Sequence, residues 1–219
     1  MQCIIFSEEY CHPENLFPFT LTRRIQDIRV GILTIREKWE LSLGLNSFDK
    51  WEGDYKEGSR SLTIDAGMPA GDYLLIHANI LPTPLLTAAI KALKPGELLM
   101  HPIFGALAFH FNATDVSSLH NIKVRNTLTY ADDVPSLGAP WHIFSINELA
   151  IQLDFELLTK GRKSAPISTT NQLIGGENIF VEPGAKLEHC IINAAGGPVF
   201  IGKDALVMEG SMLRGPVAI

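Results

Sequence analysis

The chain has 219 residues, 46% of them hydrophobic and 19% charged, with a formal net charge of -6. That length allows one large domain or two modest ones. The acidic balance argues against a nucleic-acid partner held by bulk charge, which needs a basic face, but a small phosphorylated ligand needs only a few placed donors. No apolar run approaches ~18 residues, so nothing reads as a membrane span. The N-terminus lacks the basic region of a signal peptide. Cys3, Cys11 and Cys190 lie at no metal-ligand spacing and read as reduced thiols of a cytoplasmic protein.

Cys3 to Phe6 is a short apolar strand. Gly31 to Leu43 reads as a helix, with Ile32, Ile35, Trp39 and Leu43 inward and Arg36, Glu37, Lys38 and Glu40 outward. Asp72 to Ala78 is a near-continuous apolar run, as expected of a strand buried on both faces. Thr83 and Pro84 open a helix as N-cap and first-turn proline; it runs to Leu93, before Pro95-Gly96. Glu97 to Met100 and Gly105 to Phe111 are two further strands. Asn147 to Thr159 is a helix with Leu149, Leu153, Leu157 and Leu158 on its apolar face and Gly161 just past its end. The alternation predicts an α/β fold, a sheet with helices on both faces. Ser164 to Gln172 is polar and reads as a connector, which divides the chain into domains 1–165 and 166–219.

Beyond the connector the period changes to six. Ile201, Val207, Leu213 and Ile219 keep that spacing, as do Val181 and Leu187, with small, polar or glycine residues between. The stretch Asn193 to Pro198 breaks the phase and reads as a loop at one corner. A hexapeptide period suits a triangular coil: each face is one short strand, one aliphatic residue per face points inward, and stacked coils bury a column. The pattern predicts the first coils of a left-handed parallel β-helix. The alternative is an ordinary pair of strands whose apolar residues fall in phase. Ile219 stands where an inward residue belongs, so the expectation is a parent chain that continues for several coils.

In α/β sheets, ligands bind beyond the carboxyl ends of the strands. Two segments fall there, Glu8 to Gly31 and His77 to Pro82. The first holds Arg23, Arg24 and Arg29 with Thr20 and Thr22, and arginine forks suit phosphate oxygens. The same arginines also read as structural groups pairing with Asp27 or Glu37. His77, on an apolar strand, reads as a core histidine.

Pro18-Phe19-Thr20-Leu21-Thr22-Arg23, followed by Arg29-Val30-Gly31 and Thr34-Ile35-Arg36-Glu37-Lys38-Trp39, resembles sugar nucleotidyltransferases. More closely, it resembles the bifunctional N-acetylglucosamine-1-phosphate uridylyltransferase/glucosamine-1-phosphate acetyltransferase-like proteins of Bacteroidetes-type bacteria. The resemblance continues through Leu81-Pro82-Thr83-Pro84, Pro140-Trp141-His142-Ile143-Phe144, Asp154-Phe155-Glu156-Leu157-Leu158, Ile201-Gly202-Lys203-Asp204-Ala205 and Met208-Glu209-Gly210-Ser211. It implies a nucleotidyltransferase-like, Rossmann-like mixed sheet followed by a hexapeptide-repeat helix.

The implied activity joins a nucleoside triphosphate to a sugar 1-phosphate, giving a nucleotide sugar of the UDP-N-acetylglucosamine type and pyrophosphate. By resemblance, Arg23 and Arg29 are the catalytic phosphate clamps. Thr20, Thr22, Arg24, Lys38 and Asn79 are substrate-binding, and Asn79 and Asn147 hold Mg²⁺. Each has a structural alternative: Asn79 turning the chain, or Lys38 as a surface charge beside Glu37 or Glu40. Acetyl-CoA chemistry and trimer formation are implied only for a full-length parent. The place of the family's glycine-rich phosphate loop reads Ser7-Glu8-Glu9-Tyr10-Cys11-His12-Pro13-Glu14-Asn15, with no glycine. Asn79 stands where the family has a metal-holding aspartate. These departures keep open a second reading, a module attached to a hexapeptide-repeat acyltransferase that binds a nucleotide sugar without turnover or serves a regulatory role.

Overall fold

A computed structural model describes residues 2–8, 11–48, 71–113 and 124–219. Glu9 and Tyr10 of the expected phosphate loop lie outside the described residues. In chain order the N-terminal elements are β1 (Gln2–Ser7), β2 (Arg29–Val30), β3 (Leu33–Thr34), α1 (Ile35–Leu43), β4 (Gly71–His77), α2 (Pro84–Lys91), β5 (Glu97–His101), β6 (Gly105–Ala113), β7 (Asn126–Thr129), α3 (Pro140–Ser145) and α4 (Asn147–Thr159). Backbone contacts divide the chain into two compact units. One comprises Met1–Ile28 with Thr34–His142, the other Arg29–Leu33 with Ile143–Ile219.

The first unit is built on a mixed sheet of order β1-β4-β6-β5-β7. β1 runs parallel to β4, β6 antiparallel to both β4 and β5, and β7 parallel to β5. Register puts Ile5 opposite Leu75 and Tyr73 opposite Phe111. Alternation along the strands then gathers Ile5, Tyr73, Phe109 and Phe111 on one face. Tyr73 stacks on Phe111 at 5.6 Å and Phe109 on Phe111 at 5.8 Å. Such pairs add about 0.5–1.5 kcal/mol each beyond burial. β7 was not expected: all four of its residues are exposed, and it is held by backbone pairing with β5 and by Asn126 Nδ2, which donates to Glu97 Oε1 at 3.3 Å.

α1 begins at Ile35, not Gly31. Thr34 is its N-cap and forms a capping box with Glu37, so Gly31 and Ile32 belong to the turn of the β2–β3 hairpin. Gly44, at φ 70°, ends the helix in the left-handed conformation that glycine adopts without strain. Lys38 is buried rather than outward, at 2% exposure. It stands three residues after Ile35 and so shares that residue's inward face. Trp39 is enclosed, and its indole N–H donates to the Ile80 carbonyl at 2.9 Å. α2 is capped as expected, with Thr83 Oγ1 accepting from Leu86 N–H. No helix among the described residues is long and apolar enough to cross a membrane.

In the second unit, α4 spans the residues the sequence predicted but buries a different face. Ala150, Ile151 and Asp154 are buried, whereas Leu149 is 40% exposed. The chain then forms β8 (Gln172–Ile174), β9 (Ile179–Val181), β10 (Lys186–Leu187), β11 (Ile191–Asn193), β12 (Val199–Ile201), β13 (Leu206–Val207), β14 (Met212–Arg214) and β15 (Val217–Ala218). These strands build three small parallel sheets, β14-β11-β8, β15-β12-β9 and β10-β13. Sequence order takes the chain from one sheet to the next in rotation. Val181 lies opposite Ile201, Leu187 opposite Val207, and Ile192 opposite Leu213. All but Leu213 are buried, and Leu213 packs against their cluster. Ile219, in phase by spacing, is 47% exposed.

Candidate functional site

The segment after β1 folds as three short 3-10 turns, Pro13–Leu16, Phe19–Leu21 and Ile25–Asp27. Leu16, Ile25 and Ile28 anchor it through burial. Glu8 pins its far end, since one carboxylate oxygen accepts the Ile25 N–H at 2.8 Å. Near its start, the Cys11 thiol lies beside the backbone N–H groups of Asn79 and Ala78, beyond β4. Burial, reinforced by the Glu8 charge, pushes that thiol up to about 12, so it stays protonated at neutral pH. The segment therefore crosses the carboxyl ends of β1 and β4, where the topology calls for a ligand.

Within this wrap the residues expected to bind phosphate divide. Thr20 is fully buried, and its hydroxyl donates to the Pro13 carbonyl at 2.6 Å, so it shapes the loop. Thr22 and Arg23 are exposed, and Arg24 is half-buried. Asp27 is taken by Arg36 of α1, whose Nε donates to it at 2.6 Å and whose Nη1 donates to Ser47. The same guanidinium lies 5.5 Å over the Phe6 ring. The arginine that pairs with Asp27 is thus Arg36, outside the expected set. Arg23 has no hydrogen bond or ion pair among the described residues. Gln26 was not singled out by sequence. It is fully enclosed, with neither amide atom paired among the described residues.

Asn79 is tied to the chain beyond the sheet. Its Nδ2 donates to the Leu137 carbonyl at 2.8 Å, and its own carbonyl accepts the Leu137 N–H at 2.8 Å. Its Oδ1 is buried and has no partner among the described residues. Arg29 and Asn147 both belong to the second unit, Arg29 at the start of the hairpin and Asn147 at the start of α4. Arg29 Nη1 donates to the Ile32 carbonyl, and Asn147 Oδ1 accepts the Gly31 N–H at 2.8 Å. Asp154, which the sequence reading passed over, accepts from Ile32 and Leu33 N–H.

One family model, described as sugar nucleotidyl transferase, matches residues 3–163. The chain belongs to the sugar nucleotidyl transferase family. No curated protein matches it. As a family member it is expected to take a nucleoside triphosphate and a sugar phosphate, and the family's chemistry implies Mg²⁺. The two amides assigned to that ion do not fit the role. Asn79 Oδ1 is enclosed, Asn147 Oδ1 is committed to the Gly31 N–H, and a neutral amide is a weak sole anchor for a hard dication. Among the described residues no group of three or more His, Cys, Asp or Glu stands ready to hold a metal. What this family member does present is a wrap that carries Thr22, Arg23 and Arg24 across the strand ends, and on α1 a buried Lys38.

Proposed function

We propose that the chain is a sugar-1-phosphate nucleotidyltransferase domain making a nucleotide sugar of the UDP-N-acetylglucosamine type. An oxygen of the sugar 1-phosphate attacks the α-phosphorus of the nucleoside triphosphate. A new P–O bond forms, the bond from the α-phosphorus to the β-phosphate bridge breaks, and pyrophosphate leaves with the electron pair. Positioning and neutralisation of phosphate charge do most of this work. The observation that carries the reading is Arg23, an exposed guanidinium with no described partner on a wrap across the strand ends of a family member. Arg29 is the second clamp. Thr22 and Arg24 supply further donors.

Residues 1–165 form the nucleotidyltransferase part. We read 166–219 as coils of a left-handed parallel β-helix, because the strands rotate among three parallel sheets and Val181 and Leu187, then Ile201, Val207 and Leu213, fall six residues apart within one cluster. In a longer parent such coils would carry acetyl transfer from acetyl-CoA and assemble as a trimer, in the cytoplasm.

The enclosed Asn79 favours a second reading, a module that holds a nucleotide sugar without turnover. A pyrophosphate-release assay decides between them, with UTP, dTTP, CTP and GTP against glucose, glucosamine and N-acetylglucosamine 1-phosphates in Mg²⁺. Release with one pair, lost in Arg23→Ala, is the expected result. No release across the panel, with measurable UDP-N-acetylglucosamine binding, replaces the catalytic reading with the second.

A further inference from the structure

Three successive backbone N–H groups at the tip of the β2–β3 hairpin are met by one row of α4. Gly31 N–H donates to Asn147 Oδ1 at 2.8 Å, and Ile32 and Leu33 N–H donate to Asp154 Oδ2 at 2.8 and 3.0 Å. Asn147, Ala150 and Asp154 stand at i, i+3 and i+7, the spacing that lines side chains along one helix face. Ala150 lies between the two acceptors at 0% exposure. A Cβ on Gly31 would come within 2.8 Å of both the Ala150 carbonyl carbon and Asp154 Oδ2, and Gly31 has φ 76°. The hairpin tip therefore fits this row only as glycine.

Asp154 is itself 2% exposed. A carboxylate at that depth is costly unless hydrogen bonds satisfy it. A helix meant only to pack would carry an aliphatic residue there. Two of the carboxylate's bonds hold the hairpin at Ile32 and Leu33, and the Ile32 carbonyl in turn receives Arg29 Nη1. The chain of contacts runs from Asp154 through the Ile32 peptide to an exposed guanidinium.

We propose that Asp154, seconded by Asn147, is a positioning residue that holds Arg29 for the phosphate oxygens of the nucleotide. The proposal rests on the reading of Arg29 as a phosphate clamp. The test is calorimetric titration of the full chain with UTP, using Arg29→Ala, Asp154→Ala, Asp154→Asn and the double variant Arg29→Ala/Asp154→Ala. Arg29→Ala weakens UTP binding on the order of tenfold, the scale of one charge-assisted contact. Asp154→Ala weakens it by a similar factor. Asp154→Asn restores most of the loss, because an amide oxygen still accepts both N–H groups. The double variant is no weaker than Arg29→Ala, as residues acting through one contact require.

Wild-type affinity in Asp154→Ala, or additive losses in the double variant, overturns the positioning role while leaving the clamp. Wild-type affinity in Arg29→Ala overturns the clamp itself, and the positioning role with it. Circular dichroism monitors folding. Should Asp154→Ala lose helix, Asn147→Ala, which removes only the Gly31 bond, is judged by the same coupling to Arg29.

Discussion

The strands beyond residue 172 and the junction of hairpin and α4 belong to the same compact unit, yet they are held together in opposite ways. In the strands, small contributions repeat: Val181 stacks against Ile201, Leu187 against Val207 and Ile192 against Leu213, and parallel backbone pairing links each layer to the next. At the junction three hydrogen bonds to two side chains of α4 stand out, and they link residues far apart in sequence. The first kind of structure distributes its cohesion and announces it by period. The second concentrates it and has no period to announce. Trp39 reaching the Ile80 carbonyl belongs to the second kind, and the Thr83 cap is local and belongs to the first.

The largest expected effect is on the strands. Ile201→Ala removes a fully buried side chain from the column and costs about 3–4 kcal/mol. Urea denaturation measures it, and amide exchange should rise across β9, β12 and β15 together. Gly31→Ala is next, about 3 kcal/mol from backbone strain and collision with Ala150. Its exchange signature should stay within 29–33 and the first turns of α4. Exchange spreading equally over the strands would erase the distinction between distributed and concentrated cohesion. Trp39→Phe leaves the Ile80 carbonyl without its donor and costs about 1–2 kcal/mol. Thr83→Ala removes one cap bond, at about 1 kcal/mol.

A pH effect sharpens the contrast between the wrap and the rest. The folded state raises the Cys11 pKa from 9.0 to about 12, so folding favours the protonated thiol. Its contribution is full below pH 9 and is lost as pH rises from 9 through 12. Melting temperature should fall less steeply across pH 9–11 in Cys11→Ala than in the wild type. Equal slopes would remove the thiol from that balance.

What the sequence made legible follows the same division. Strands β4, β5 and β6 and the strand column declared themselves through runs and periods, and Thr83-Pro84 marked α2 by cap chemistry. The buried face of α4 did not. Four leucines outvoted Asp154, because a carboxylate reads as outward until its backbone donors, more than a hundred residues upstream, are known. Lys38 was misplaced because a lysine reads as outward, although its spacing from Ile35 puts it on the inward face. β7 carries no apolar pattern, since it is held by main-chain pairing and one polar side-chain bond, Asn126 to Glu97, with all four residues exposed. At the site, the arginine-rich segment was visible as composition. That Arg36 takes Asp27, while Arg23 has no partner among the described residues, depends on how the turns fold, which no spacing encodes.

The hairpin turn has one further consequence, for how this chain can be divided. Arg29–Leu33 is surrounded in sequence by the sheet unit but belongs to the unit of α4. No single cut separates the two. A fragment ending at His142 would keep the hairpin and discard both of its acceptor side chains, leaving three adjacent N–H groups to water. A fragment starting at Ile143 would keep Asp154 but lose the two hairpin N–H groups that donate to it. The smallest piece that honours the wiring of this chain runs from the first strand through Asp154.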